Sequence, residues 1–121
     1  MRQVLTLSLA LGLLAFVAVP ASGQDVTGTW VLSVDLGAAG GGDATFVLVQ
    51  EGTEITGTYS GAVGDQLEVT GTVEDGMITL EFVSDLAGAV IYEGTIEEGT
   101  FKGTCFYGDL GDGTFEGSKT R

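Results

Sequence analysis

The side chains of this chain that carry chemistry are almost all carboxylates. Seventeen Asp and Glu stand against four Lys and Arg in 121 residues, with one cysteine, Cys105, and no histidine. Paired carboxylates can cleave glycosidic bonds, but one of the two must be kept protonated by burial or by a like-charged neighbour. Here the acids fall at turns or on outward positions of alternating runs, and Glu81 and Glu93, both in strands, point to solvent by that alternation. Lack of histidine removes a His-based triad and a His-ligated metal site, and lack of asparagine removes an N-glycosylation acceptor. One cysteine makes no internal disulfide. Cys105 reads as a buried small hydrophobe, with intermolecular pairing or a reactive thiol as the other reading. We expect no catalytic residue, no metal site and no cofactor.

Two glycine-rich stretches invite a ligand reading and fail it on context. "DLGAAGGGD" (35–43) has no Lys and no following helix, so it is no phosphate cradle. It reads as a flexible loop at a barrel mouth. "GDLGDG" (108–113) brings Asp109 and Asp112 close, but a calcium loop of the EF-hand type needs more carboxylates and a terminal Glu. A plain hairpin loop is the expectation there, with calcium held by acidic loops as a minor alternative.

The elements that would position any site begin after an export leader. "MRQVLTLSLALGLLAFVAVPASGQ" has Arg2, an apolar run from Val4 to Val19 and small residues around Pro20 to Gly23, the layout of a secretory signal peptide. The run is shorter than the roughly 20 residues that span a bilayer. Cleavage is expected after Ala21 or Gly23, and the latter leaves residues 24–121 as one small domain, secreted or periplasmic. The full chain carries a net charge of −13, which repels nucleic acid and anionic membranes. Solubility explains it, with a basic partner as the lesser reading.

Beyond the leader the apolar residues alternate with period two between Gly and Asp turn signals. The spacing predicts strands near 26–34, 44–50, 54–60, 67–74, 77–83, 89–97, 100–107 and 114–120. Short links such as Asp75-Gly76 and Glu98-Gly99 demand antiparallel hairpins. The fold class is therefore all-β, an eight-stranded antiparallel up-and-down meander that closes into a barrel.

One design recurs: "VTGTW" (26–30), "ITGTY" (55–59), "VTGTV" (69–73), "YEGTI" (92–96), "FKGTC" (101–105) and "FEGSK" (115–119). Alternation turns Gly28, Gly57, Gly71, Gly94, Gly103 and Gly117 inward with the apolar residues, and Thr, Glu, Lys or Ser outward. Inward glycine allows sharp coiling and close backbone approach, with aromatic rings lying across it. Alternatively, the missing side chains leave a ligand cavity. The outward positions are mostly Thr and Glu, unlike the apolar band of a membrane barrel. Val31, Ile91, Phe106 and strand two, "TFVLVQ", interrupt that polar face and suggest an oligomer interface.

"VTGTW", "ITGTYSGAVG" (55–64) and "EVTGTV" (68–73) resemble the streptavidin and avidin family, whose eight-stranded barrels open with a similar Thr-Gly-Thr-Trp. "GTF" at 113–115 sits like that family's "DTF". The resemblance implies an avidin/lipocalin-like barrel with a ligand site at its open end. It also implies that most biotin contacts are replaced. Tyr59 is kept, but Gly61 stands where a hydroxyl is expected. Leu32 and Leu36 fall at polar positions, the binding tryptophans fall near Leu80 or Phe82, on Tyr92 and near Cys105, and an Asp becomes Gly113, with Asp112 one place off. Trp30 matches a tryptophan that packs in the barrel. Burying ligand polar atoms without partners costs about 1–3 kcal/mol each, so tight biotin binding is not expected.

Two functions remain open. One is a secreted, non-enzymatic barrel binding a small, largely apolar ligand at its open end, lined by Trp30, Tyr59, Leu80, Phe82, Tyr92 and Tyr107. It needs an interior void above about 200 Å³, given ligand pockets of roughly 300–1,000 Å³. The other is a filled barrel acting as an envelope or extracellular interaction module, self-associating through strand two and Phe106. Neither involves nucleic acid or membrane insertion.

Overall fold

The computed structural model describes residues 25–120; the expected leader lies outside the described residues. Eight strands follow one another: β1 (Gly28–Asp35), β2 (Gly41–Glu51), β3 (Glu54–Gly61), β4 (Gly64–Glu74), β5 (Met77–Ser84), β6 (Gly88–Glu97), β7 (Thr100–Tyr107) and β8 (Asp112–Lys119). Each pairs with its sequence neighbours, and β8 returns to β1 to close the barrel. All pairings are antiparallel, and the closing ladder runs from Trp30↔Lys119 to Asp35↔Thr114. The meander barrel expected from the alternation is the fold. No helix among the described residues is long and apolar enough to cross a membrane.

Turn chemistry sets the registers. At Asp75-Gly76 the two φ angles are 52° and 82°, and at Glu98-Gly99 they are 55° and 82°. Positive φ at both central residues is the type I′ geometry whose twist matches that of the flanking strands.

The repeated glycines share the inward parity of buried neighbours such as Ile55, Tyr59, Phe101 and Cys105. A Cβ on Gly103 would stand 2.6 Å from Gly94 Cα, and one on Gly57 would stand 3.0 Å from Leu48 Cα. Adjacent strands coil against each other at distances that a side chain would forbid. Rings take up the space that remains. A Cβ on Gly94 would lie 2.9 Å from Phe115 Cζ, so that ring covers bare backbone.

The interior is a continuous aromatic stack. Trp30 meets Phe101 edge-on at 5.7 Å, Phe101 meets Phe115 at 4.8 Å, Phe115 meets Tyr92 at 4.9 Å and Tyr92 meets Phe46 at 5.0 Å. Phe46 then contacts Tyr59 at 5.4 Å, and Tyr59 stacks on Phe82 at 4.2 Å. All seven are buried. Edge and offset contacts of this kind each add about 0.5–1.5 kcal/mol beyond area burial.

Two loop expectations need correction. Residues 41–43, expected in a flexible loop, belong to β2, where Gly41 pairs with Asp35 and Asp43 with Ser33. β2 pairs with β1 up to its last residue, Asp35, so the ladder extends into a run of glycines. The remaining loop is a 3-10 turn, Gly37–Ala39, closed by Gly40 N–H to Gly37 O at 2.9 Å and anchored by the Asp35 carboxylate accepting from Gly37 N–H at 2.8 Å. The stretch 108–113, expected as a plain hairpin loop, holds a second 3-10 turn, Gly108–Leu110, and Asp112 already belongs to β8.

Candidate functional site

The β1–β2, β3–β4, β5–β6 and β7–β8 connections gather at one end of the barrel and form its mouth. Beneath them lies a cavity of about 90 Å³ bordered by Val34, Leu36, Ala44, Tyr59, Val63 and Tyr107, among others. It is far smaller than the roughly 300 Å³ at which ligand pockets begin. Larger depressions, of about 250–560 Å³, lie on the outer wall.

The sequence-derived lining set divides. Tyr59 and Tyr107 border the cavity, and Phe82 and Tyr92 pack directly on them, Tyr92 to Tyr107 at 5.7 Å between ring centroids. Trp30 and Leu80 do not reach it. Trp30 lies toward the opposite end, paired with Lys119, and donates its indole N–H to Val26 O at 2.8 Å. Leu80 is buried in mid-barrel beside Tyr92 and Gly71.

Three phenols converge under the mouth. The Tyr92 and Tyr107 hydroxyls share a hydrogen bond. Burial, and then each other's proximity, push Tyr92 far above the ordinary phenol range; burial raises Tyr107 likewise. At neutral pH both are neutral hydroxyls that donate and accept hydrogen bonds. Cys105 is buried, and desolvation pushes its thiol up to about 11, with Asp112 adding to the rise and a hydrogen bond from the Gly113 backbone opposing it. Its thiol therefore favours the protonated form at neutral pH.

Among the described residues, no group of three or more Cys, Asp or Glu is placed to hold a metal ion. Asp109 is exposed on its 3-10 turn, its N–H bonded to Ala87 O at 2.9 Å.

Sequence reasoning missed two residues of the mouth region. Phe46 is the ring on which Tyr59, Phe82 and Tyr92 all converge; its signal was the alternation of Phe46 with Leu48. Among the described residues, Ser84 is the buried polar residue of the core region. Its hydroxyl donates to Val63 O at 2.7 Å and accepts from the Leu86 and Ala87 N–H groups at 3.0 and 3.2 Å. The bond matters because β4 and β5 are paired only between Thr70↔Glu81 and Glu74↔Met77, so Ser84 ties the mouth ends of the sheet together.

Fold and interior thus define a closed eight-stranded meander barrel packed with aromatic rings, compatible with the avidin-like architecture. Neither the protein-family models nor the curated proteins provide a match to this chain.

Proposed function

We propose that the chain acts as an exported, non-catalytic packed barrel that binds other protein through its outer wall. The observation that carries this reading is the filled interior, where the aromatic stack leaves only about 90 Å³ under the mouth. It is supported by large apolar side chains on the wall, with Val47, Val49 and Phe106 each about half exposed and Val83 71% exposed. Single exposed hydrophobes are ordinary, but Val83 on β5 and Phe106 on β7 flank Ile91 of β6 on one side of the barrel, whereas Val47 and Val49 on β2 lie on the far side, and such a local group suggests an interaction surface. The test is native mass spectrometry of the protein recovered from its own host. A retained partner or a dimer is expected, with the mass of a chain cut after Ala21 or Gly23. A lone monomer at high concentration overturns the reading.

A second reading is favoured by the chemistry of the mouth. The Tyr59 and Tyr107 phenols give an apolar cavity the chemistry for a small, largely apolar molecule carrying one polar group, but at about 90 Å³ it must widen to admit one. Under this reading the barrel is a distant relative of the avidins that kept Trp30 and Tyr59 but lost the clamp for biotin. Co-purification of a small molecule in the same spectrum supports it, and an empty protein unresponsive to small apolar compounds in a thermal-shift screen counts against it.

A further inference from the structure

One row of side chains crosses four strands of the outer wall and has an apolar centre with an acid at each end. Glu81 on β5 pairs with Ile91 on β6, Ile91 with Phe106 on β7, and Phe106 with Asp112 on β8. Directly paired side chains on one face are neighbours, so the row reads carboxylate, aliphatic, aromatic, carboxylate. One step toward the mouth, Val83 pairs with Ala89, and both are exposed. One step the other way stands Glu93. Depressions flank Ile91 on both sides, one bordered by Glu68, Glu81 and Val83, the other by Glu93, Phe106 and Asp112.

We propose that this row docks a cationic amphipathic segment of a partner protein, apolar residues seated on Ile91, Phe106 and Val83 and bases reaching Glu81 and Asp112. This rests on the reading of the outer wall as the contact surface. The layout matches the apolar centre and polar rim of protein interfaces, with an aromatic anchor near the middle. Charge selects the occupant. A second copy would set acids against acids across the row, in a chain of net charge −13. The lysines among the described residues, Lys102 and Lys119, lie off the row, with Lys102 opposite Glu116 and Thr95. The acids at the row ends are three strand spacings apart, about 14 Å measured along the curved wall. On a helix rising 1.5 Å per residue, bases about nine residues apart span that distance.

The test uses the mature chain and an 18-residue Leu/Lys amphipathic peptide, with its Leu/Glu counterpart as the reverse-charge probe, titrated by fluorescence anisotropy in physiological salt. Saturable binding of the Leu/Lys peptide is expected, with Phe106→Ser or Val83→Ser weakening it about ten-fold. Glu81→Gln with Asp112→Asn should weaken it and flatten its salt dependence. Glu97→Gln with Glu116→Gln, which removes the same charge elsewhere, should leave it within about two-fold. Circular dichroism melts check that each variant folds. Equal losses from both charge pairs, equal binding of the Leu/Glu peptide, or no binding overturns the proposal. If a partner captured from the host stays bound to the Phe106→Ser chain, this row is wrong while the broader function stands.

Discussion

Tyr59 lays its hydroxyl over Gly61, two residues ahead of it on the same strand. A Cβ on Gly61 would stand 2.8 Å from Tyr59 Cζ and closer still to the hydroxyl oxygen. The position where the avidin resemblance calls for a ligand-binding hydroxyl is therefore filled from within. Tyr59 itself occupies the space that a side chain at position 61 would need. Gly61→Ser should displace the Tyr59 ring from its stack on Phe82 and cost about 1–3 kcal/mol by overpacking. Thermal melts should show a lower Tm, and biotin should give no compensating shift. Biotin-dependent stabilisation of this variant would mean that the ring moves aside easily and that the site is latent.

The Tyr92 and Tyr107 pair makes stability sensitive to alkali. Burial raises both folded-state pKa values, so the folded chain keeps protons that the unfolded chain loses above about pH 10. The contribution is fully present below that pH and is lost as pH rises further, by up to about 1.4 kcal/mol per pH unit for each phenol. Urea melts between about pH 8 and 11.5 should show this decline, flattened in a Tyr92→Phe, Tyr107→Phe double variant. Each single variant strands one buried hydroxyl and should cost about 1–3 kcal/mol, the double less than the sum. Additive losses would mean that the two phenols are not coupled.

Much of this architecture was legible because period-two alternation and turn glycines are local signals. Every strand was anticipated, and so was the inward ring of glycines. Closure followed from the count of hairpin-linked strands, but strand ends were less visible. Gly41 and Gly42 look like loop residues by composition, and only their pairing with Asp35 and Val34 across the sheet places them in β2. Ser84 went unread because its value lies in meeting Val63 O, 21 residues away in sequence. How full the barrel is could not be read from alternation either, since that pattern gives the face of a side chain but not the space left between faces.

Cys105 should be inert in the native state. A thiol raised to about 11 and buried presents about two orders of magnitude less thiolate near pH 8 than a free cysteine. Maleimide labelling should therefore be slow in buffer and fast in urea, with no covalent dimer forming on storage. Rapid native labelling would place the thiol at the surface and reopen intermolecular pairing.

Two glycine substitutions separate coiling from backbone flexibility as the reason for the repeated design. Gly103→Ala puts its methyl 2.6 Å from Gly94 Cα on the paired strand, whereas Gly42→Ala, also within a strand, meets nothing within 4 Å. Loss of glycine entropy from the unfolded chain stabilises by about 0.4–1 kcal/mol where the native backbone accepts the methyl. Gly42→Ala should therefore be neutral or mildly stabilising. Gly103→Ala must push β6 and β7 apart and should cost about 2–3 kcal/mol, lowering Tm by about 10 °C or more in a domain of this size. Similar melts for the two variants would mean that strand approach is relaxed and the inward glycines are dispensable. A large gap between them would show that coiling, more than an enlarged cavity, is what the repeated glycine supplies.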